Sequence, residues 1–207
     1  ARTWGRRLPL LRNVFYFRET LFIVYELLRD NLYHIYKYIE ECRLPRYFTV
    51  ERLRHVAKQC LLTLQCLHQR DVIHCDLKPD NVLISADGAF KIGDLGMATT
   101  LDSWNEQEGD AKYLAKDLLE RDPSTNADIF SLGLMMLEMV SGEPMPGSNT
   151  PEEALRWNEL RAPHSADEPA RPLVGPPATC SAGLQRLISS AMMPYPAGGW
   201  KPGQPGG

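Results

Sequence analysis

Positions 76 to 81 carry an aspartate, a lysine and an asparagine, Asp76, Lys78 and Asn81, within the run His74-Cys75-Asp76-Leu77-Lys78-Pro79-Asp80-Asn81. A further aspartate follows in Asp94-Leu95-Gly96. These residue types supply the parts of a polar reaction. A short carboxylate on a rigid loop can take or orient a proton at hydrogen-bond range. An ammonium can neutralise an anion, and amide and carboxylate oxygens suit a hard cation that takes few protein contacts. Singly, each has a plainer use: Asp and Asn are common turn and cap residues, and a lone lysine is most often a solvated surface charge. Their occurrence together on one short loop points to chemistry.

The elements around this loop must hold it still. From Thr49 onward Leu53, Val56, Ala57, Cys60, Leu61, Leu64 and Leu67 recur at three- and four-residue steps. That spacing predicts a long amphipathic helix, with Thr49 as N-cap and Glu51 near its positive end. After the loop, Val82 to Ser85, Asp87-Gly88 and Phe90 to Ile92 read as strand, turn, strand, the Asp-Gly pair supplying the reversal. Asp94 therefore lies just past a hairpin. A second helix is predicted from about Thr125 to Ser141, stopped by Gly142 and Pro144. Upstream, Val14 to Phe17 and Leu21 to Leu28 form a hairpin joined by Arg18, Glu19 and Thr20. A shorter helix covers Leu184, Leu187, Ile188, Ala191 and Met192. Many of the 16 prolines fall between Glu143 and Cys180 and predict loops and short helices there. Beyond Pro194 too few apolar residues remain to pack, so a disordered tail is expected.

With 207 residues, 43% hydrophobic and 24% charged, the composition is that of one globular domain. A net charge of -3 offers no basic excess to neutralise phosphates, which excludes nucleic acid as an expected partner. Five cysteines without a C-x-x-C pair read as reduced thiols rather than a disulfide or zinc framework. The apolar runs Leu21 to Leu28 and Leu132 to Val140 are too short for a membrane span, and no signal peptide opens the chain. An intracellular location, cytoplasm or nucleus, is expected; the oligomeric state is left open.

The run His74 to Asn81, behind a long helix and ahead of a hairpin, resembles the catalytic loop of the eukaryotic protein kinases. A chance match to its His, Asp, Leu, Lys, Pro and Asn positions has odds on the order of 10⁻⁷ per starting point. Asp94-Leu95-Gly96 sits where that family keeps Asp-Phe-Gly. The resemblance implies ATP and Mg2+ as cofactors and a protein substrate. It implies that Asp76 and Lys78 are catalytic, Asp76 at the acceptor hydroxyl and Lys78 on the moving phosphate, with Asn81 and Asp94 as magnesium ligands. His74 takes an architectural role. Phe22 to Leu28 resembles the strand entering the kinase hinge, which implies that backbone groups of Glu26 and Leu28 bind adenine, with Tyr25 as gatekeeper. Leu83 falls at the apolar floor under adenine, although an ordinary core leucine suits the sequence equally. Tyr113-Leu114-Ala115-Lys116-Asp117 takes the place of the Ala-Pro-Glu segment, with Lys116 and Asp117 for proline and glutamate. Ala127 to Gly133 resembles the central buried helix, in which Asp128 braces the catalytic loop and Phe130 stands where tryptophan is commoner.

The implied fold is α+β: the mainly α-helical C-terminal lobe of the protein-kinase fold with short β-hairpins, the N-terminal lobe largely missing. Residues 1–28 are expected to end the N-terminal lobe and form the hinge, 29–193 the C-terminal lobe, and 194–207 the tail. The first half resembles the dual-specificity tyrosine-regulated and homeodomain-interacting kinases. Glu108-Gly109-Asp110, Tyr113-Leu114-Ala115 and the helix after Ala127 resemble the Wee-type inhibitory kinases. Lys78 in Leu77-Lys78-Pro79 implies serine or threonine acceptors, with tyrosine left open. Cys75 replaces the arginine that pairs with an activation-loop phosphate, so weak dependence on phosphorylation at Thr99, Thr100, Ser103 or Tyr113 is expected. No lysine precedes Lys37 and no Gly-x-Gly-x-x-Gly opens the chain. With Ala1 at its start, it is expected to be a fragment, weakly active or inactive alone. The alternative is a non-catalytic kinase lobe acting as a protein-interaction module.

Overall fold

The computed structural model describes residues 6–44, 47–101, 109–110, 112–115, 118 and 124–141. The helix expected around Leu184 to Met192, the loops between Glu143 and Cys180, the tail, Ser103, Lys116 and Asp117 lie outside the described residues.

Strands β1 (Leu11–Phe17) and β2 (Thr20–Tyr25) form the expected antiparallel hairpin. Arg18 and Glu19 make its turn at φ 47 and 63, the left-handed pair that matches the twist of a two-residue reversal. Phe15 and Phe22 face each other across the strands with stacked rings 5.2 Å apart, an aromatic cross-strand pair that pins the register. Strand β1 starts at Leu11 rather than Val14. Strand β2 stops at Tyr25 rather than Leu28: Glu26 N–H still donates to Leu10 O beside β1, and the chain then turns to the rest of the molecule, Arg29 N–H donating to Ile84 O.

Helix α1 (Leu32–Glu41) was not among the predicted elements. Asn31 starts it by accepting the His34 amide on Oδ1 at 2.8 Å, which satisfies one orphan donor of the first turn. Leu32 and Tyr36, four residues apart, are its buried face. Helix α2 (Val50–His68) is the predicted amphipathic helix, and Thr49 caps it by accepting from Arg52 N–H at 3.3 Å. Leu53, Val56, Ala57, Cys60, Leu64 and Leu67 are buried as their spacing requires. Leu61 lies at the edge of that stripe. Thr63 takes a buried place instead, its hydroxyl donating to Gln59 O at 3.0 Å. Helix α3 (Asn126–Ser141) is buried without interruption from Ser131 to Met139.

Short strands join these helices. β3 (Asp30–Asn31), β5 (Val82–Ile84) and β6 (Phe90–Ile92) form one antiparallel sheet with β5 in the middle. β4 (Val72–Ile73) pairs with β7 (Thr99–Thr100). The β5–β6 reversal is the predicted Asp87-Gly88, with Gly88 at φ 81, where glycine carries no steric cost. Leu53, Leu64, Leu134 and Met135 are fully buried where α1, α2, α3 and the β5–β6 hairpin meet, each such side chain contributing about 1.5–3 kcal/mol. The loop from His74 to Asn81 emerges from this core between β4 and β5.

Candidate active site

The loop is held first by its backbone. Asp128 on α3, 1% exposed, accepts the His74 amide on Oδ2 at 2.9 Å and the Cys75 amide on Oδ1 at 3.0 Å. His68, in the last turn of α2, adds a third contact from Nε2 to Oδ2 at 2.8 Å. One buried carboxylate therefore ties two helices to the loop. His74 is fully buried. Its Nδ1 accepts the Asp76 amide at 3.3 Å, which places the ring proton on Nε2, donating to Gly93 O at 2.9 Å. That is an architectural role, with both ring nitrogens committed.

Cys75 turns the chain at φ 65 and buries its thiol beside Ile73, Leu114 and Ala115. Burial, and then the Asp128 carboxylate, push that thiol up to about 12. It is an uncharged filler at the position before Asp76.

Asp76 is 8% exposed and has both carboxylate oxygens engaged. Oδ2 accepts from Asn81 Nδ2 at 2.9 Å and faces Lys78 Nζ at 3.2 Å; Oδ1 accepts the Asp110 amide at 2.9 Å. Asn81 Nδ2 also donates to Asp76 O at 2.7 Å, so the short Pro79–Asn81 turn folds the asparagine back onto the aspartate. Lys78 reaches Asp110 as well, at 3.6 Å. Burial pulls the Lys78 ammonium down, but Asp76, followed by Asp110 and Asp80, outweighs it and holds the group above its usual value. Lys78 stays charged beside a carboxylate that is oriented from three sides.

Gly109 explains how Asp110 comes so close. A Cβ there would lie 2.2 Å from Cys75 O and 3.2 Å from Asp76 Oδ1, so only glycine lets this segment rest on the loop.

Asp94 stands at φ 54 and ψ 76 and accepts the Gly96 amide on Oδ1 at 3.2 Å. Gly93 N–H donates to Asn81 O at 2.8 Å, which draws the Asp94 strand end against the Asn81 turn. Asn81 directs its amide nitrogen at Asp76, so its side-chain oxygen is not spent on that contact, and Asp94 adds a carboxylate. Among the described residues no three His, Cys, Asp or Glu side chains converge as a metal site. Two oxygen-bearing residues are the small protein share that magnesium takes, and the donor set fits it.

Just past β2, the Glu26 amide is spent on Leu10 O at 2.9 Å. Leu28 is half-buried and Leu27 points to solvent. Leu83 lies against Gly93, where a Cβ would meet its Cδ1 at 2.5 Å; the leucine thus packs on the residue just before Asp94, whose amide donates to Asn81 O. On the far side, Tyr113 is anchored to α3, its carbonyl accepting from Ser131 Oγ at 2.7 Å and its hydroxyl donating to Glu138. Lys112 Nζ meets Glu138 Oε1 at 2.7 Å. Burial, and then Glu138, raise the Tyr113 phenol far above its usual value.

The structure brings Asp76, Lys78 and Asn81 into direct contact and sets Asp94 next to them through the Gly93–Asn81 backbone bond, with Leu83 against Gly93; Glu26 and Leu28 follow β2, Glu26 being tied to Lys91 on β6. Sequence reasoning missed Asp110 and Gly109 as parts of the site, along with His68, Gln59 and Lys91. Gln59 Oε1 accepts the Phe90 amide at 2.7 Å and so holds β6 to α2. Each of these contacts spans more than 30 positions, beyond any local signal; only the quoted Glu108-Gly109-Asp110 run marked one of them.

Residues 9–197 match the family model described as protein kinase domain. The chain is 36% identical over 184 residues to the membrane-associated tyrosine- and threonine-specific cdc2-inhibitory kinase of Drosophila melanogaster, covering 86% of this chain and 31% of that protein. It is 32% identical over 162 residues to the mitosis inhibitor protein kinase wee1 of Schizosaccharomyces pombe, covering 70% of this chain and 18% of that protein. This chain thus spans less than a third of either relative's length. Among solved structures, a chain of the yeast RNA Pol II CTD kinase CTDK-1 complex matches with a TM-score of 0.63 at 20% identity, over 73% of this chain and 50% of that one. Fold likeness and the match over nearly the whole chain agree with the loop read from its residues: the chain belongs to the protein kinase family.

Proposed function

We propose that this chain carries the catalytic and magnesium-binding loops of an ATP-dependent protein kinase, forming the C-terminal lobe over 29–193 with the hinge and last N-lobe strands over 1–28. The observation that carries it is the held carboxylate of Asp76, fixed by Asn81 Nδ2 and the Asp110 amide with Lys78 at 3.2 Å. Phosphoryl transfer is mainly positioning and charge stabilisation, and this arrangement supplies both. Asp76 orients the acceptor hydroxyl and takes its proton. Lys78 offsets charge on the transferred phosphoryl group. Asn81 and Asp94 hold magnesium, which when bound neutralises the phosphate oxygens. Adenine lies on Leu83 with the Glu26 carbonyl and the Leu28 backbone at its edge.

The acceptor is a protein hydroxyl. Leu77-Lys78-Pro79 supports serine or threonine, and the fly relative is named for tyrosine and threonine, so threonine is the acceptor common to both. Among the described residues no helix is long and apolar enough to cross a membrane, and an intracellular site of action is part of the proposal. The test is transfer of labelled γ-phosphate to a protein substrate by the complete protein and by Asp76→Asn. Loss of transfer in the variant, with phosphothreonine in the wild-type product, supports the reading; equal transfer by both overturns it.

A second reading, a lobe that serves as a protein-interaction module, is favoured by the β1–β2 hairpin, where Val14, Phe15, Phe17, Phe22 and Ile23 are all exposed. Apolar patches of this kind mark protein contact sites. Partner binding that survives Asp76→Asn in a protein without transferase activity would favour it.

A further inference from the structure

Lys91 leaves β6 with its side chain 6% exposed and meets the Glu26 carboxylate, 19% exposed, at 2.5 Å. The same Glu26 oxygen accepts the Leu10 amide at 2.8 Å, and the Glu26 amide donates to Leu10 O at 2.9 Å. Leu10 ends a short segment that is itself fastened to β6, since Ile92 N–H donates to Arg7 O at 3.1 Å and a Cβ on Gly93 would meet Pro9 at 3.5 Å. Hinge, entering segment and β6 thus close a small ring of contacts, and β6 runs on through Gly93 to Asp94. An exposed pair of this kind is worth little. A shielded one with its carboxylate also bonded to an amide is shorter and stronger.

We propose that the Lys91–Glu26 pair is a positioning device for nucleotide binding, fixing the hinge backbone of Glu26 and Leu28 relative to the strand that delivers Asp94. It deepens the kinase reading and rests on it. Lys91 touches neither base nor phosphate in this scheme. It acts through the hinge, so it separates adenine recognition from phosphate recognition.

The experiment titrates the complete protein and its Lys91→Met, Glu26→Gln and doubly substituted forms with magnesium-ADP and, separately, magnesium-pyrophosphate. Amide hydrogen exchange is followed without ligand. Each single variant is expected to weaken ADP about fivefold to tenfold, with pyrophosphate affinity unchanged. The double variant is expected to be no weaker than either single one, because one interaction is removed in all three. Lys91→Arg should restore most of the affinity. Unchanged ADP binding, additive losses, or equal losses for both ligands would overturn the proposal. If the unsubstituted protein binds neither ligand, the nucleotide reading falls, and hydrogen exchange then judges the pair alone. Exchange of the Leu10 and Glu26 amides about tenfold faster in Lys91→Met, with the α2 amides unchanged, upholds the tie. Unchanged exchange at those two amides, or faster exchange everywhere, refutes it.

Discussion

Replacing Asp128 by asparagine removes a charge and one acceptor from the centre of the fold while changing almost no volume. The carboxylate holds two backbone amides, at 2.9 and 3.0 Å, and the His68 ring at 2.8 Å. Hydrogen bonds to a charged group contribute about 1.5–3 kcal/mol each, against about 1 kcal/mol for neutral ones. Asparagine keeps one oxygen for one amide, now at neutral strength, and turns its own NH2 towards the other. That second amide is left buried against a donor. The expected loss is about 2–4 kcal/mol, a large share of the roughly 5–15 kcal/mol that stabilises a domain. For a chain of this size the melting temperature should fall by roughly 4–16 °C. Urea unfolding gives the free energy directly, and hydrogen exchange at His74 and Cys75 shows whether the loss is local to the loop. A change below about 0.5 kcal/mol, within the range of an ordinary surface substitution, with both amides still protected, would refute the bracing role of Asp128.

Three further outcomes are expected. Gly109→Ala, whose Cβ would lie 2.2 Å from Cys75 O, should lift Asp110 from the loop and cut phosphate transfer at least about tenfold, while unfolding stability changes by less than for Asp128→Asn; unchanged transfer in a steady-state assay contradicts the contact. Iodoacetamide at pH 8 should label exposed Cys42 in the native protein and spare Cys60 and Cys75, both buried and pushed up to about 12; peptide mapping that finds Cys75 modified as fast as Cys42 contradicts its burial. The Glu26 carboxyl lies below its ordinary value of 4.5, chiefly through its bond to Lys91. Its stabilisation is therefore fully present above pH 4.5 and is lost as the pH falls through the lower folded value. The stability advantage of wild type over Glu26→Gln should be level near neutrality and shrink in acid, and a difference that grows below pH 4 in chemical unfolding opposes the assignment.

Local signals carried much of the architecture. Thr49 and the apolar stripe behind it mark α2, and Asp87-Gly88 marks the β5–β6 reversal, because each depends on neighbours a few positions away. Helix α1 escaped although Asn31, Leu32 and Tyr36 follow the same rules. Its ten residues carry only two buried side chains, so its periodicity is faint. Asp128 was placed through resemblance, and its three bonds could not be read from spacing. Asp110, Lys91 and Gln59 act on partners 31 to 65 positions away, and their types alone read as ordinary surface residues. Chemistry concentrated in one short loop was legible; the contacts that orient it come from distant elements and were not.

The unbroken burial of α3 from Ser131 to Met139 also bears on how the molecule fails. A helix hidden on every side has no wettable face to show when its surroundings loosen. Partial opening would release Leu134, Met135, Met136 and Leu137 as one continuous adhesive segment, and such segments drive association between chains faster than refolding can cover them. Damage to the hydrogen-bonded hub at the start of that helix should therefore appear as lost soluble protein before it appears as a change at the His74–Asn81 loop.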